Sequence, residues 1–148
     1  MPATSLRRTK TGSRYVLGVL FILAGANHLR NPALYVAIMP PYLPWHLALV
    51  YISGAAQITL GALLLWRRWS AVAAWGLIAL LAAIFPANLH MALHPERYRS
   101  VPEFALWLRL PLQGVLMLWA WWYTRGAIDG ELIVVQHVRH AESLDLDP

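Results

Sequence analysis

Residues 69–93 read WSAVAAWGLIALLAAIFPANLHMAL and contain no Asp, Glu, Lys or Arg. As a helix, a run of this length is roughly 38 Å long, whereas the hydrocarbon core of a bilayer is about 30 Å thick. The segment therefore predicts a membrane-spanning helix. Its end is unusual, because Pro86, Asn88 and His90 interrupt the apolar residues and His94 follows one turn later. Polar groups in a span are costly, so they usually have a partner or a function.

Three further apolar runs, residues 15–29, 45–66 and 104–123, indicate the same class of protein. The last two are about 20 residues or longer, which is the length that a spanning helix needs. Of the 148 residues, 13% are charged, whereas a soluble domain carries about 25% charged residues. The fold class that we predict is all-α, a four-helix transmembrane bundle formed by residues 14–124. A flexible basic N-terminus, 1–13, precedes it, and a cytoplasmic C-terminal tail, 125–148, follows it.

The distribution of Lys and Arg predicts the orientation of this bundle. One side carries the larger set, namely Arg7, Arg8, Lys10, Arg14, Arg67, Arg68, Arg125 and Arg139. The other side carries Arg30, Arg97 and Arg99. Since cytoplasmic segments carry the excess of positive charge, both termini are predicted to lie in the cytoplasm. The net charge of +5 does not predict nucleic-acid binding, because the basic residues flank apolar runs, where they orient helices and contact anionic lipid.

The first apolar run has two interpretations. A basic segment, an apolar core and the tripeptide Ala24-Gly25-Ala26 together resemble a signal peptide with its cleavage site. We favour a retained helix, because Pro32 begins another apolar element, which is predicted to be a short interfacial helix between the first two spans. The stretch MPPYLP, residues 39–44, follows it, and its three prolines predict a stiff lid over the outer end of the bundle.

Polar side chains of all four predicted helices fall in the outer half of the bundle. The helical rise places Gln57 about 18 Å below Trp45, and it places Arg109 and Gln113 about 8 and 14 Å below Phe104. Arg109 and Gln113 share a face of their helix, since they are four residues apart. We predict a polar ligand-binding pocket in this half, lined by Asn27, His28, His46, Gln57, Asn88, His90, Arg109 and Gln113.

Most of these residues also have a purely structural interpretation. Asn88 and His90 could satisfy carbonyl groups that Pro86 leaves free, and Gln57 could hold helices together beside small residues such as Gly61.

Arg109 is harder to explain structurally, because an arginine cannot lose its charge and needs acceptors. It could extend to lipid phosphates at the outer surface. The spans contain no Asp or Glu, and the nearest carboxylates, Glu96 and Glu103, belong to the outer loop. An inward-facing Arg109 would therefore suit a ligand that carries carbonyl or anionic oxygen.

We predict no metal site and no haem. His90 and His94 have a spacing that can bind a metal on a helix, but the spans supply no carboxylate and the chain has no Cys. The candidate histidines lie at one interface, which does not suit a haem between two helices. No set of nucleophile, base and orienting group is visible, so the sequence leaves open whether the chain is an enzyme.

Five motifs together resemble those of the DoxX-like membrane proteins: AGANHLRNP (24–32), IMPPYLP (38–44), SGAAQITLG (53–61), FPANLHM (85–91) and RLPLQ (109–113). The resemblance covers residues 15–123. It implies a bacterial or archaeal four-helix membrane protein, with relatives in quinone-linked and thiol-redox membrane complexes. One position departs from the family, which commonly has Glu where this chain has Gln57, so a proton-coupled role of that position is not implied.

The resulting hypothesis is a redox-associated subunit of a complex in the bacterial inner membrane, which binds a quinone or a similar small amphiphile in the outer pocket. The carbonyl groups of a quinone accept hydrogen bonds, and its ring packs against aromatic side chains. One alternative is a non-catalytic scaffold or assembly factor whose polar residues only hold the helices together. A second alternative is an enzyme that uses His28, His46 or His90 in acid–base chemistry.

Overall fold

The computed structural model of the protein describes residues 3–99 and 101–124, and every regular element in this part is helical. The predicted C-terminal tail, 125–148, lies outside the described residues. The all-α prediction is confirmed. Two short 3-10 turns flank the fourth helix, at Arg67–Trp69 and Pro95–Arg97. The described residues form five α-helices in chain order: α1 Ala3–Arg30, α2 Pro32–Ala37, α3 His46–Leu65, α4 Ser70–Leu93 and α5 Glu103–Thr124.

Within residues 3–99 and 101–124, three segments are long and apolar enough to cross a membrane, namely His46–Leu65, Arg67–Leu93 and Glu103–Thr124. Many large apolar side chains on these helices are exposed, including Ile52, Trp75 and Leu118. In water such a surface would be unfavourable, whereas in a bilayer it contacts lipid tails. The exposed apolar surface therefore agrees with a protein that contacts a lipid bilayer.

Helix α1 is longer than the apolar run from which it was predicted. It begins at Ala3 and so includes residues 3–13 of the segment that was predicted to be a flexible N-terminus. The residue types of this segment are compatible with a helix. They contain no apolar periodicity, however, so the apolar run from which α1 was predicted did not extend to them. The short helix predicted after Pro32 is present as α2, and Pro32 occupies its first turn, where the missing N–H is no loss.

Helices α1 and α3 approach each other to backbone contact at two pairs of glycines. A Cβ atom added to Gly25 would lie 2.5 Å from the carbonyl oxygen of Gly54. One added to Gly61 would lie 2.7 Å from the carbonyl oxygen of Gly18. The earlier glycine of α1 meets the later glycine of α3, so the two helices are antiparallel. Small residues that allow such an approach are a main source of helix association in lipid.

The four long helices share one apolar core. Its buried members come from α1, α3, α4 and α5, and they are Leu17, Phe21, Leu64, Ala73, Ala74, Leu77, Leu81, Ala120 and Tyr123. At the same end, the indole Nε1 of Trp119 donates a hydrogen bond of 2.7 Å to the hydroxyl of Ser13, which joins α5 to α1. A second cluster lies at the other end and contains Met91, Ala92, Tyr98 and Leu106, with Ile38 packed against it.

The glycine contact gives a physical reason to treat α1 as a retained helix. Gly25, the centre of the tripeptide that resembles a cleavage site, lies in the contact with α3. Cleavage after Ala26 would remove the part of α1 that covers α3. It would expose the backbone of α3 at Gly54 and Gly61, which have no side chains to cover it.

We expect Gly25→Ala to lower the free energy of unfolding by about 1–3 kcal/mol, because the new methyl group meets the backbone of α3 and the helices must move apart. The measurement is the thermal midpoint of the detergent-solubilised protein. Gly114→Ala is the matched control, since a Cβ there would meet no atom within 4 Å. Equal midpoints for the two variants would contradict the close approach of α1 and α3.

Candidate functional site

Six of the eight predicted site residues lie toward one end of the helices, whereas Gln57 and Gln113 lie near the middle of α3 and α5. The glycine pairs make α1 and α3 antiparallel, and the contacts of Met91 with Arg109 and of Leu81 with Gln113 make α4 and α5 antiparallel. The C-terminal ends of α1 and α4 therefore lie beside the N-terminal ends of α3 and α5. Side-chain contacts divide the predicted residues into four groups.

The first group joins α1 to α2. Asn27 donates a hydrogen bond of 2.6 Å to the hydroxyl of Tyr35 and accepts one of 2.8 Å from Asn31. The ring of His28 stacks on Tyr35 with 3.6 Å between centroids, and its Nδ1 bonds the carbonyl of Ala24 at 2.8 Å. Asn27 and His28 thus hold the short helix in place. Tyr35 was not predicted, because nothing in the spacing of an aromatic residue identifies its partner across a turn.

The second group holds the lid, residues 39–44. His46 Nε2 donates a hydrogen bond of 3.0 Å to the carbonyl of Pro40, whose ring is fully buried. Tyr42 presents its ring edge-on to His90, with 5.2 Å between centroids. Trp45 follows the lid with φ of 54°, a left-handed conformation that a bulky residue adopts only where its surroundings impose it. The lid is therefore attached both to α3 and to the end of α4.

His90 is the centre of an aromatic cluster beneath this lid. Its ring stacks on His94 at 4.2 Å and meets the ring of Tyr98 edge-on at 6.4 Å. His94 donates from Nδ1 to the carbonyl of His90, whereas Nε2 of His90 is buried without a hydrogen-bond partner. Burial raises the pKa of the Tyr98 phenol above its ordinary value, which disfavours the charged form of this side chain. The cluster thus contains a buried imidazole nitrogen that the protein does not satisfy.

The third group bridges α4 and α5 across Pro86. The ring of Pro86 lies inside α4, and its missing N–H leaves the carbonyl of Ala82 without a helical partner. Gln113 accepts a hydrogen bond of 3.1 Å from Asn88 and donates one to the carbonyl of Leu81. Asn88 therefore pairs with a side chain of α5 rather than with a carbonyl of its own helix. Gln113 binds α4 on both sides of the proline, which stabilises the helix where its own ladder is interrupted.

Arg109 lies four residues before Gln113 and also faces α4. The guanidinium donates from Nη1 to the sulfur of Met91 at 3.8 Å, and the side chain is half-buried. Among the described residues, this thioether is the one hydrogen-bond acceptor that Arg109 has. Sulfur is a weak acceptor, while a guanidinium carries five N–H donors. Most of the hydrogen-bonding capacity of Arg109 is therefore available to another molecule.

Gln57 stands apart as the fourth group. It is 6% exposed, and its Oε1 is buried without a partner. A Cβ added to Gly25 would lie 2.9 Å from the Cβ of Gln57, so the residue belongs to the contact between α1 and α3. The structure does not bring it into contact with Arg109 or Asn88. No group of three or more His, Asp or Glu side chains in the described part of the chain could hold a metal ion.

We expect Gln57→Glu to lower the free energy of unfolding by about 3 kcal/mol, because a carboxylate between apolar helices has no cation to pair with at this contact. Gln57→Leu should raise it by about 1 kcal/mol, since it removes an unsatisfied acceptor. Both are measured as thermal midpoints in detergent. A stable Gln57→Glu protein would show that Gln57 reaches a polar environment that these contacts do not contain.

One family model matches the chain, over residues 17–124, and it describes a domain of unknown function, DUF8561. The match extends from the apolar part of α1 to the end of α5, so it includes the second half of α1, all of the other three long helices and the groups described above. No curated protein and no solved structure matches the chain.

Proposed function

We propose that this chain, which belongs to the DUF8561 family, binds a quinone or a similar small amphiphile at the end of its helices that contains His90 and Arg109. One observation carries the proposal: both side chains have N–H or ring nitrogen atoms that no oxygen or nitrogen of the described protein satisfies. His90 Nε2 is buried without a partner, and the guanidinium of Arg109 bonds a sulfur atom.

The chemistry of a quinone fits these groups. Its carbonyl oxygen accepts hydrogen bonds from an imidazole or a guanidinium, and its flat ring packs against aromatic side chains such as Tyr42 and Tyr98. The residues of this chain would hold the carbonyl and exclude water, while the bound quinone would supply reversible electron transfer. A redox-associated subunit of a membrane complex is the role that the resemblance to DoxX-like proteins implies.

We also propose that the chain crosses the bacterial inner membrane four times, with both termini in the cytoplasm. Support comes from three apolar helices of spanning length and from α1, which packs on α3 through glycines and contributes to the same core. The excess of Lys and Arg on the side of the termini agrees with this orientation. Three spans would place the termini on opposite sides, so the number of spans can be measured directly.

For topology, we expect a reporter fused to the N-terminus and one fused after Tyr123 to be active only in the cytoplasm. A cysteine introduced at Arg97 should react with a membrane-impermeant reagent applied from outside, and one at Arg68 should not. The natural chain has no Cys, so labelling reports the introduced residue alone. An N-terminal reporter on the outer side would reduce the count to three spans.

For the ligand, we expect a short-chain quinone to quench the tryptophan fluorescence of the purified protein in a saturable manner. Arg109→Leu should weaken binding about tenfold, because a hydrogen bond from a charged donor contributes about 1.5–3 kcal/mol. Arg109→Lys should also weaken it, since it keeps the charge but loses the planar fork. Arg109→Leu should fold at least as stably as the natural protein, because it removes a charge from an apolar setting.

Arg99→Leu is the matched control for these variants, because Arg99 is exposed and lies outside the spans. Solvent extraction of the purified natural protein should yield a quinone by its absorbance spectrum. Equal affinity of the Arg109 and Arg99 variants would refute the proposed site.

The Gln113 bridge favours a second candidate, a scaffold protein. Asn88 and Gln113 satisfy each other and the α4 backbone, which is what polar residues do when they only hold helices together. A protein that yields no quinone, does not respond to Arg109 variants and still co-purifies with other membrane subunits would be a scaffold.

A further inference from the structure

We propose that Arg14 binds the phosphate group of an anionic phospholipid, at the end of the helices opposite to His90 and Arg109. Arg14 lies in α1, one turn before Gly18, and it is 9% exposed. Its Nε is buried without a hydrogen-bond partner. A charged side chain in this position needs a counter-charge, because arginine does not release its proton.

The described protein has no carboxylate at this end. Its acidic residues are Glu96 and Glu103, and both belong to the connection between α4 and α5 at the other end. The C-terminal end of α3 lies on this side of α1, since a Cβ added to Gly18, one turn after Arg14, would lie 2.6 Å from the side chain of Leu65, the last residue of α3. A helix C-terminus offers only a partial charge, about half of an elementary charge. The remaining neutralisation requires an anionic oxygen from outside the described residues.

The neighbours of Arg14 place it at the depth of lipid headgroups. The ring of Tyr15 lies 5.5 Å from its guanidinium carbon, and the exposed indoles of Trp66 and Trp69 lie at the same end. Exposed Tyr and Trp side chains are typical of the boundary between hydrocarbon and headgroups. An arginine at this boundary meets phosphate oxygens, which its planar fork binds with two parallel hydrogen bonds.

The surrounding charge favours an anionic lipid over a zwitterionic one. Lys10 lies one turn before Arg14, and Arg67 and Arg68 are exposed in the turn between α3 and α4. This positive field attracts a phosphatidylglycerol headgroup, whereas the ammonium group of phosphatidylcholine adds a charge that it repels. The ligand is therefore a lipid phosphate whose headgroup carries no cation.

The test uses the delipidated full-length protein in neutral detergent. Phosphatidylglycerol, phosphatidylcholine or inorganic phosphate is added, and bound lipid is counted by native mass spectrometry alongside the thermal midpoint. We expect phosphatidylglycerol to bind and to raise the midpoint, with little response to the other two. Arg14→Gln should weaken phosphatidylglycerol binding about tenfold. Arg68→Gln, which removes the same charge from an exposed position at the same end, should weaken it less than about twofold.

Arg14→Lys guards against loss of folding in the Gln variant, because it retains the charge, and it should bind the lipid more weakly than the natural protein. Equal binding by the Arg14 and Arg68 variants would overturn the proposal, since a general positive surface would then be sufficient. An equal response to inorganic phosphate would assign the site to a free anion, and an equal response to phosphatidylcholine would remove the preference for anionic lipid.

Discussion

Two helices reach backbone contact only where neither carries a side chain, and α1 and α3 do so at Gly25 with Gly54 and at Gly18 with Gly61. The two contacts are separated by seven residues along α1 and by seven residues along α3, so together they fix the antiparallel register of the two helices. The start of α3 then lies beside the end of α1, so the connection between them must double back over that end. The lid, residues 39–44, and its contact with His90 depend on this register.

The satisfaction of hydrogen bonds separates the polar residues of the apolar helices into two kinds. Asn88 and Gln113 satisfy each other and the backbone around Pro86, so their presence is explained by the stability of the α4–α5 contact. His90, Arg109 and Arg14 have nitrogen atoms that the described protein leaves without a good acceptor or partner. An unsatisfied buried polar group lowers stability by about 1–3 kcal/mol, which makes such groups candidates for binding where, unlike Gln57 in the α1–α3 contact, they do not lie between closely packed helices.

More of the fold than of the candidate site could be predicted from the sequence. Apolar runs of spanning length predicted α3, α4 and α5, whereas the shorter run at 15–29 predicted only part of α1. The short turn at Arg67–Trp69 made α3 and α4 neighbours in the chain and in space. Whether the polar residues share one pocket depends on how each helix is rotated about its axis. The spacing of residues along a helix does not determine that rotation. Asn88 and His90 are two positions apart on α4, so one side chain meets α5 and the other meets the lid. Gln57 lies at a similar depth to other polar residues, but the rotation of α3 turns it toward α1 and away from them.

The two unsatisfied arginines show how neighbours determine what the same side chain can bind. Arg109 has neutral neighbours, a thioether and, one turn along its own helix, the amide of Gln113. The described carboxylates, Glu96 and Glu103, belong to this end, so a neutral ligand with a carbonyl oxygen can accept hydrogen bonds from Arg109 without also supplying the counter-charge. Arg14 shares its end of the molecule with Lys10, Arg67 and Arg68, whose combined field favours a full negative charge. The chain therefore carries one guanidinium suited to a dipole and one suited to an ion, and the difference lies in the residues around them rather than in the arginines.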